Sequence, residues 1–384
     1  MLKSMPRLLL SITLLIMIIG VGVPALALQN SPGPLEKMLA QVSDNQISRR
    51  VIWYGAMGDL EQMLGLQIKS ADDFKNLDRN QQAAYLLDVS GKQVYYSQFS
   101  GLDQSAQWKQ TFGIDSFSIE REITVGVSPN WYGVLQGNFS SATIIAALQA
   151  IGYKPAAVSG ATVYAASKTN ISQTRYNRMI VSDTVVIAAP SDALIKIAIP
   201  NTGQPLVADP AYAALVHALE GQATIPGTQL ISAALFNGPF LSDTLITADP
   251  LASSMKQLLS ADQLGALSKQ LGLANEKPLP RYTTAAIGYR RNAQSRFWVI
   301  ALTYADGNTA NAAAAILADR LPRYASFRQS GRPLFQGWPI AVNVKGDGAA
   351  QVVIATMQLP AQTDVAWIDL INQRDLGFLA AASQ

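Results

Sequence analysis

The alternation of side chains over residues 117–125 most strongly limits the fold of this chain. Phe117, Ile119, Ile123 and Val125 fall on one side together with Arg121, and Glu120, Glu122 and Thr124 fall on the other, which is the period of a β-strand with one mainly apolar face. A second strand, a helix and a hairpin follow, and the same strand-strand-helix-strand-strand-helix order returns after residue 280. The pattern predicts an α+β protein of two α/β modules. Short connections favour the βαββα order of a ferredoxin-like (split βαβ) arrangement, with antiparallel or mixed sheets covered by helices.

Segments without this alternation divide the rest of the chain. Apolar residues at helical spacing, such as Leu35, Met38, Leu39 and Val42, indicate helices on the N-terminal side of the first module. We therefore predict a helical N-terminal region at 35–113, a first module at 114–206, a helical middle region at 207–274 and a second module at 281–384. Residue identity between the modules is slight, so the sequence leaves open whether they arose by duplication.

The balance of residue types indicates a large buried core. Hydrophobic residues make up 49% of the chain and charged residues 14%, against about 25% charged in typical globular proteins. This balance excludes a disordered chain. The chain has no cysteine, which excludes disulfides, thiol nucleophiles and cysteine-based metal sites. No basic patch with interleaved aromatic residues appears, so we expect no nucleic-acid partner.

The N-terminus has the pattern of an export signal. Lys3 and Arg7 precede the uncharged run Leu8–Val23, and Ala25 and Ala27 provide the small residues that a signal peptidase recognises. We predict a signal peptide over 1–27 and a linker over 28–34. The alternative is an uncleaved membrane anchor over 8–27, which has the length of one bilayer crossing. Either reading places the body outside the cytoplasm, secreted or in the cell envelope, with membrane contact only through an uncleaved N-terminus.

Two short motifs resemble parts of the penicillin-recognising serine enzymes. Ser253-x-x-Lys256 has the serine-lysine spacing, and Ser43-Asp44-Asn45 has the second element. In those enzymes the serine-lysine motif comes first and a Lys-Thr-Gly strand follows. Here the order is reversed, and the nearest third element is Lys168-Thr169-Asn170. We interpret the match as coincidence.

Two further features suggest metal ligands, and neither completes a site. Asp306-Gly307-Asn308 followed by Asn311 resembles a calcium loop, but Ala310 and Leu317 stand where oxygen ligands are required. The segment is better explained as a turn with a helix cap at Asn308 or Thr309. His217 is the only histidine, and a catalytic zinc usually takes three protein ligands. We interpret His217 as a helix-surface or interface residue.

Glu120 and Glu122 form the most plausible catalytic pair. On a regular strand they lie on the same side, about 6–7 Å apart at the ~3.3 Å rise per residue. Glycosidase carboxylates are separated by about 5–9.5 Å. Such carboxylates normally flank a sugar cleft, and neighbouring glutamates on the solvated side of a sheet are far commoner, so we interpret both as solvated residues.

Three aromatic pairs lie in predicted strands or strand-like runs: Tyr95-Tyr96, Trp131-Tyr132 and Phe297-Trp298. Neighbouring strand residues face opposite sides, which predicts one ring of each pair in the core and one outward. An outward ring could stack on a glycan or a peptide. Core packing explains the pairs as well.

One stretch resembles a family of poorly characterised bacterial exported proteins and lipoproteins. Its residues are Trp131–Phe139, Ile144, Leu148, Gly152-Tyr153 and Val163-Tyr164. They match a "vl-x-G-x-F" strand, a helix ending "L…GY" and a "g-x-x-vY" strand over roughly residues 115–200. The resemblance implies an envelope or surface location and no established activity. The chain lacks the acylated cysteine of the lipoprotein members, and no site residue is carried over.

The sequence therefore favours a non-catalytic extracytoplasmic binding or scaffold protein with an envelope or extracellular ligand. It assigns no catalytic, cofactor-binding or metal-binding residue and no cofactor. One alternative is a hydrolase that acts on envelope polymers through carboxylates such as Glu120 and Glu122. Another is an accessory subunit of a membrane complex, tethered by the uncleaved leader.

Overall fold

The computed structural model describes twelve parts of the chain: residues 32–89, 92–95, 105–166, 176–200, 203–221, 224–242, 260, 262, 277–325, 333–361, 363 and 365–382. The predicted signal peptide and most of the predicted linker lie outside these residues. So do most of the middle region after residue 242 and the Ser253, Lys256 and Lys168–Asn170 motif residues. None of the helices in the described ranges has the length and apolar character that a bilayer crossing requires.

The described residues form one antiparallel sheet of twelve strands, in the spatial order β11-β12-β10-β9-β8-β1-β2-β3-β7-β6-β5-β4. The strands are β1 Val51–Gly55, β2 Ile119–Val127, β3 Asn130–Gly137, β4 Tyr153–Val158, β5 Ala161–Ala166, β6 Arg178–Val181, β7 Val185–Ala189, β8 Gln229–Asn237, β9 Thr284–Arg291, β10 Arg296–Tyr304, β11 Ile340–Asp347 and β12 Ala350–Gln358.

Helices cover both faces of this sheet. They are α1 Pro34–Leu39, α2 Met57–Met63, α3 Ala71–Asn76, α4 Arg79–Val89, α5 Ser105–Phe112, α6 Ser141–Ala150, α7 Asp192–Ala198, α8 Pro210–Glu220, α9 Gly238–Phe240, α10 Gly307–Arg320 and α11 Trp367–Asn372. Ser70, Ser140, Ser191 and Asp209 cap their helices, each accepting a backbone N–H in the first turn. The cap predicted at Asn308 or Thr309 is instead Asp306.

The predicted α+β class with antiparallel strands is confirmed, but the two ferredoxin-like modules are not. The strands form one twelve-stranded sheet instead of two separate sheets. In its first half, β4 follows α6 but lies four positions from β3, whereas a split βαβ unit places a single antiparallel strand between the two strands that its helix connects. β1 lies in the region predicted to be helical at 35–113, and β8 lies in the one at 207–274. These two strands pair with each other and join both halves into one sheet.

The two halves of the sheet follow the same connection order outward from the β1–β8 junction. β1 pairs with β2, the β2–β3 hairpin follows, and β7 returns beside β3 after α6. In the other half β8 pairs with β9, the β9–β10 hairpin follows, and β12 returns beside β10 after α10. By this correspondence β6 of the first half matches β11 of the second.

Alternate residues of the central strands pack into two separate hydrophobic cores, one on each face of the sheet. Val51 and Trp53 of β1 face a core shared with α2, α4, α10 and α11. Ile52 and Tyr54 face the opposite core, which is shared with α1, α7 and α8. A third cluster packs α5 and α6 against the outer strands around Leu135. Because helices cover both faces, the central strands have little solvated surface.

Candidate functional site

An open cavity of about 570 Å³ lies where α2 crosses the start of β2. We call it the α2–β2 cavity. Its walls come from α2, the segment that follows it, the residues that lead into β2, and one asparagine beyond β3. The lining residues are Gly58, Asp59, Glu61, Gln62, Gly65, Leu66, Gln67, Ile68, Lys69, Phe117, Ser118, Glu120, Arg121 and Asn138.

Two glycines shape the walls of this cavity. A Cβ atom on Gly58 would lie 3.2 Å from the Cα of Glu120, so the glycine lets α2 approach β2 closely. Gly65 follows α2 with a φ of +68°, a left-handed conformation that glycine adopts without strain. This turn directs Leu66 and the residues after it back along the side of the cavity.

A β-bulge separates the two glutamates that the sequence places together. The pairing of β2 with β3 shifts register between Ile119 and Arg121, which makes Glu120 the extra residue. Glu120 is exposed and lines the α2–β2 cavity. Glu122 is only 1% exposed, lies opposite Leu135 of β3 and does not line the cavity. The structure therefore does not bring the predicted pair to one site.

Glu122 lies on the other side of the strand, near Tyr95. Burial and the Glu122 charge raise the pKa of the Tyr95 hydroxyl. The backbone carbonyl of Tyr95 also lies so close to Gly55, the partner of Glu122 in β1, that no larger residue fits there. This carboxyl is part of the packing between β1, β2 and the segment at Tyr95.

The charged groups of the cavity are largely balanced. Arg121 donates from Nε to Asp59 Oδ2 at 3.0 Å and from Nη2 to Asp59 Oδ1. This two-point contact fixes both side chains at the edge of the cavity. Lys69 and Glu120 carry opposite charges on exposed positions of the lining.

Glu61 is the most perturbed acid of the lining. Burial raises the pKa of its carboxyl to about 8, a hydrogen bond with Tyr85 opposes the rise, and the negative charge of Glu120 adds to it. At neutral pH the Glu61 carboxyl therefore holds its proton. The lining then has two carboxylates against two cations.

We expect the Glu61→Gln variant to unfold with less dependence on pH than the native protein. From pH about 4.5 to 8 the folded state keeps the Glu61 proton that the unfolded state releases, so stability falls as pH rises. Because the side chain is partly solvated, we expect the loss to be about 1–3 kcal/mol rather than the full shift.

Guanidinium unfolding at a series of pH values measures this effect. The native protein and the Glu61→Gln variant should be closest in stability near pH 5. Toward pH 9 the variant should become more stable relative to the native protein. If the unfolding free energies of the two proteins changed with pH in the same way, the raised pKa of Glu61 would be contradicted.

The other motifs have structural roles where the structure describes them. Asn45 accepts the N–H groups of Ile47 and Ser48, and Asp44 pairs with Arg49 at 2.6 Å, so the Ser43-Asp44-Asn45 motif forms a turn. Asp306 accepts the N–H of the first turn of α10 at 2.8 Å. No group of three or more acidic or histidine side chains suited to a metal occurs within the described ranges.

His217 lies at a contact between three elements. Its Nδ1 lies 2.8 Å from Asp347 Oδ2 at the end of β11, and its Nε2 lies 4.0 Å from Glu36 Oε1 of α1. The side chain is 50% exposed. This position on the surface of α8 links the helix to the edge of the sheet and to α1.

The aromatic pairs differ from the prediction that one ring faces outward. Trp131 and Tyr132 are 8% and 1% exposed, because helices cover both sheet faces. Trp298 is 1% exposed, and its neighbour Phe297 is half-buried. Tyr95 stacks on Trp53 at 5.1 Å, and Tyr96 lies outside the described residues.

Sequence reasoning missed Asp59 and Glu61 as site residues. Both lie on a short helix within a region that the sequence predicts only as helical or irregular. Tertiary contacts with Arg121 and Tyr85 create their environments. No local sequence pattern predicts such contacts between distant residues.

Comparisons with known proteins give only weak structural matches. No protein-family model matches the sequence, and no curated protein matches it. Among solved structures, crystal form I of TP0453 covers 91% of this chain and 99% of its own at 9% identity, with a TM-score of 0.36. Crystal form III covers 88% and 96% at 9% identity, with a TM-score of 0.33. Similarity at this level assigns no function to this chain.

Proposed function

We propose that this chain is a non-catalytic extracytoplasmic binding or scaffold protein whose α2–β2 cavity takes a neutral, hydroxyl-rich ligand such as an envelope glycan. The observation that carries the proposal is the open cavity itself. Its volume of about 570 Å³ is within the range of small-ligand sites. Its lining has many hydrogen-bonding groups.

The chemistry of the lining favours a polyhydroxylated ligand over a strongly charged one. Gln62, Gln67 and Asn138 provide amide donors and acceptors, and Phe117 provides a half-buried ring beside them. Amides and carboxylates suit the alternating donors and acceptors of sugar hydroxyls. A charged ligand would gain less electrostatic binding energy, because the positive charges of the cations and the negative charges of the ionised carboxylates in the cavity offset each other.

The extracytoplasmic part of the proposal rests on the N-terminal sequence pattern. The basic start, the uncharged run and the Ala25-x-Ala27 exit are typical of export signals. The absence of cysteine is compatible with an oxidising compartment, since no thiol is present to be oxidised.

The fixed state of the acids supports a binding role over catalysis. Asp59 is held by Arg121, and Glu122 is buried outside the cavity. One observation favours the second candidate, a hydrolase that uses carboxylates. Glu61 holds a proton at neutral pH in the same cavity as the exposed Glu120, which is the division of roles that acid–base catalysis needs.

Calorimetric titration with a soluble hexasaccharide of N-acetylglucosamine tests the binding role. We expect the native protein to bind it and Gln67→Trp to lose at least about tenfold in affinity, because an indole at this exposed position fills the cavity mouth. Gln149→Trp places the same side chain on an exposed position of α6 outside the cavity and should bind like the native protein.

Two results would contradict the binding proposal. One is equal affinity of the native protein and Gln67→Trp, and the other is no binding by the native protein. Release of reducing ends by the native protein, lost in both Glu61→Gln and Glu120→Gln, would instead support the hydrolase.

A further inference from the structure

Among the residues that the structure describes, one complete edge of the twelve-stranded sheet has no partner strand. β11 forms this edge and pairs only with β12. It has eight residues and no proline. Such an edge presents backbone donors and acceptors that a further strand can use.

The hairpin geometry shows which backbone groups are free. β11 and β12 are joined by a two-residue turn between Asp347 and Ala350, which makes this a hydrogen-bonded pair. The bond from Gln358 N–H to Pro339 O, at 3.0 Å, follows the same alternation. The odd-numbered residues therefore bond to β12, and the even-numbered residues direct their N–H and C=O groups away from the sheet. Within the described parts of the chain these outward groups have no hydrogen-bond partner: Ile340, Val342, Val344 and Gly346.

The opposite edge of the sheet is blocked. By the same alternation about the Ser159-Gly160 turn, Tyr153, Pro155 and Ala157 of β4 direct their backbone groups outward. Pro155 has no N–H, and proline at an outward edge position prevents strand addition. Strand addition is therefore prevented at the β4 edge, whereas β11 has no proline that would prevent it.

The first half of the molecule shows what occupies the matching position. β6, which corresponds to β11, is covered by β5 in antiparallel pairing, and β4 follows. No strand of the described ranges covers β11 in this way. An antiparallel strand on β11 would complete the second half in the same way.

We propose that this strand is β11 of a second copy of the chain, so that the protein forms a two-fold dimer through this edge. Pairing about Asn343 uses the whole strand and opposes Val342 to Val344 of the second copy. Lys345 then lies opposite Ala341 of the second copy, so no like charges meet. The outward residues form four hydrogen-bonded pairs with two bonds each, about eight bonds in all.

The side chains suit this arrangement on both faces. Ile340, Val342 and Val344 are half-buried and pack against the core under α10. The second copy would continue this apolar row across the interface. Ala341 and Asn343 are exposed on the other face, where small or neutral side chains allow close approach of the two strands.

Sedimentation velocity of the protein over a hundredfold concentration range tests the dimer. We expect the native protein to dimerise and Val342→Pro to remain monomeric, because the change removes an outward N–H without removing a bond to β12. Ala157→Pro makes the matched change at the edge that is already blocked and should dimerise like the native protein.

A second variant protects the test against a folding defect. Asn343→Lys replaces an exposed side chain but places two ammonium groups opposite each other at the two-fold axis, and should weaken dimerisation by roughly tenfold or more. A monomeric native protein would overturn the proposal. So would a dimer that persists in Asn343→Lys or in a folded Val342→Pro.

Discussion

The Asp88→Ala variant is expected to lose about 3–5 kcal/mol of unfolding free energy. Asp88 is fully buried at the end of α4, and its carboxylate pairs with Arg291 of β9. Tyr289 donates its hydroxyl to the other carboxylate oxygen. Removing the carboxylate leaves the 5% exposed Arg291 charged, buried and without this partner.

An exposed ion pair in the same region provides the control. Lys92 follows α4 and bonds Asp369 of α11 at 2.9 Å, with side-chain exposures of 59% and 33%. Asp369→Ala is expected to cost less than about 1 kcal/mol, because solvent screens this pair. Guanidinium unfolding of both variants measures the difference. Equal losses would show that the Asp88–Arg291 pair does not hold α4 to the sheet.

The strands found from the sequence are those with a regular alternation or a clear turn. The β2–β3 hairpin includes the alternation that starts at Phe117, and the β9–β10 and β11–β12 hairpins lie after residue 280, where the strand order returns. Local physics controls these features, because the turn residues and the period of two act over a few residues. The helix caps at Ser140 and Asp209 are local in the same sense.

β1 and β8 were missed because they lack that alternation. Both run through the centre of the sheet and are buried on both faces, so Val51–Gly55 and Gln229–Asn237 read as apolar runs without a period. Missing them also produced the wrong architecture. These two strands make the junction that turns two apparent modules into one sheet.

Only part of the α2–β2 cavity could be predicted from the sequence. Glu120 was identified as a candidate, but the bulge that separates it from Glu122 depends on how β2 pairs with β3. The roles of Asp59 and Glu61 depend on partners about 60 and 24 positions away along the chain. Such contacts follow from the whole fold rather than from spacing.

Arg290→Met is expected to destabilise the protein by about 3–5 kcal/mol, comparable to the loss of Asp88. Arg290 neighbours Arg291 on β9 but faces the opposite core, and it is fully buried. Burial lowers the pKa of its guanidinium to about 10. Its donors bond Thr228 Oγ1 at 2.9 Å, Thr228 O at 2.7 Å and the carbonyl of Leu219. Methionine fills much of the volume but makes none of these three hydrogen bonds.

Lysine at this position should recover only part of the loss, because an ammonium group lacks the planar fork that reaches all three acceptors. Arg323→Met, which removes an exposed i,i+4 partner of Asp319, is expected to cost less than about 1 kcal/mol.

Arg290 also acts beyond its own contacts. It holds the last turn of α8, where Glu220 accepts the N–H groups of Leu35 at 2.7 Å and Glu36 at 3.2 Å. Loosening this turn should therefore release the start of α1. Hydrogen exchange should show faster exchange at Leu35 and Glu36 in Arg290→Met than in Arg323→Met. Unchanged exchange at these two amides, together with native-like unfolding, would show that the buried guanidinium does not couple α8 to α1.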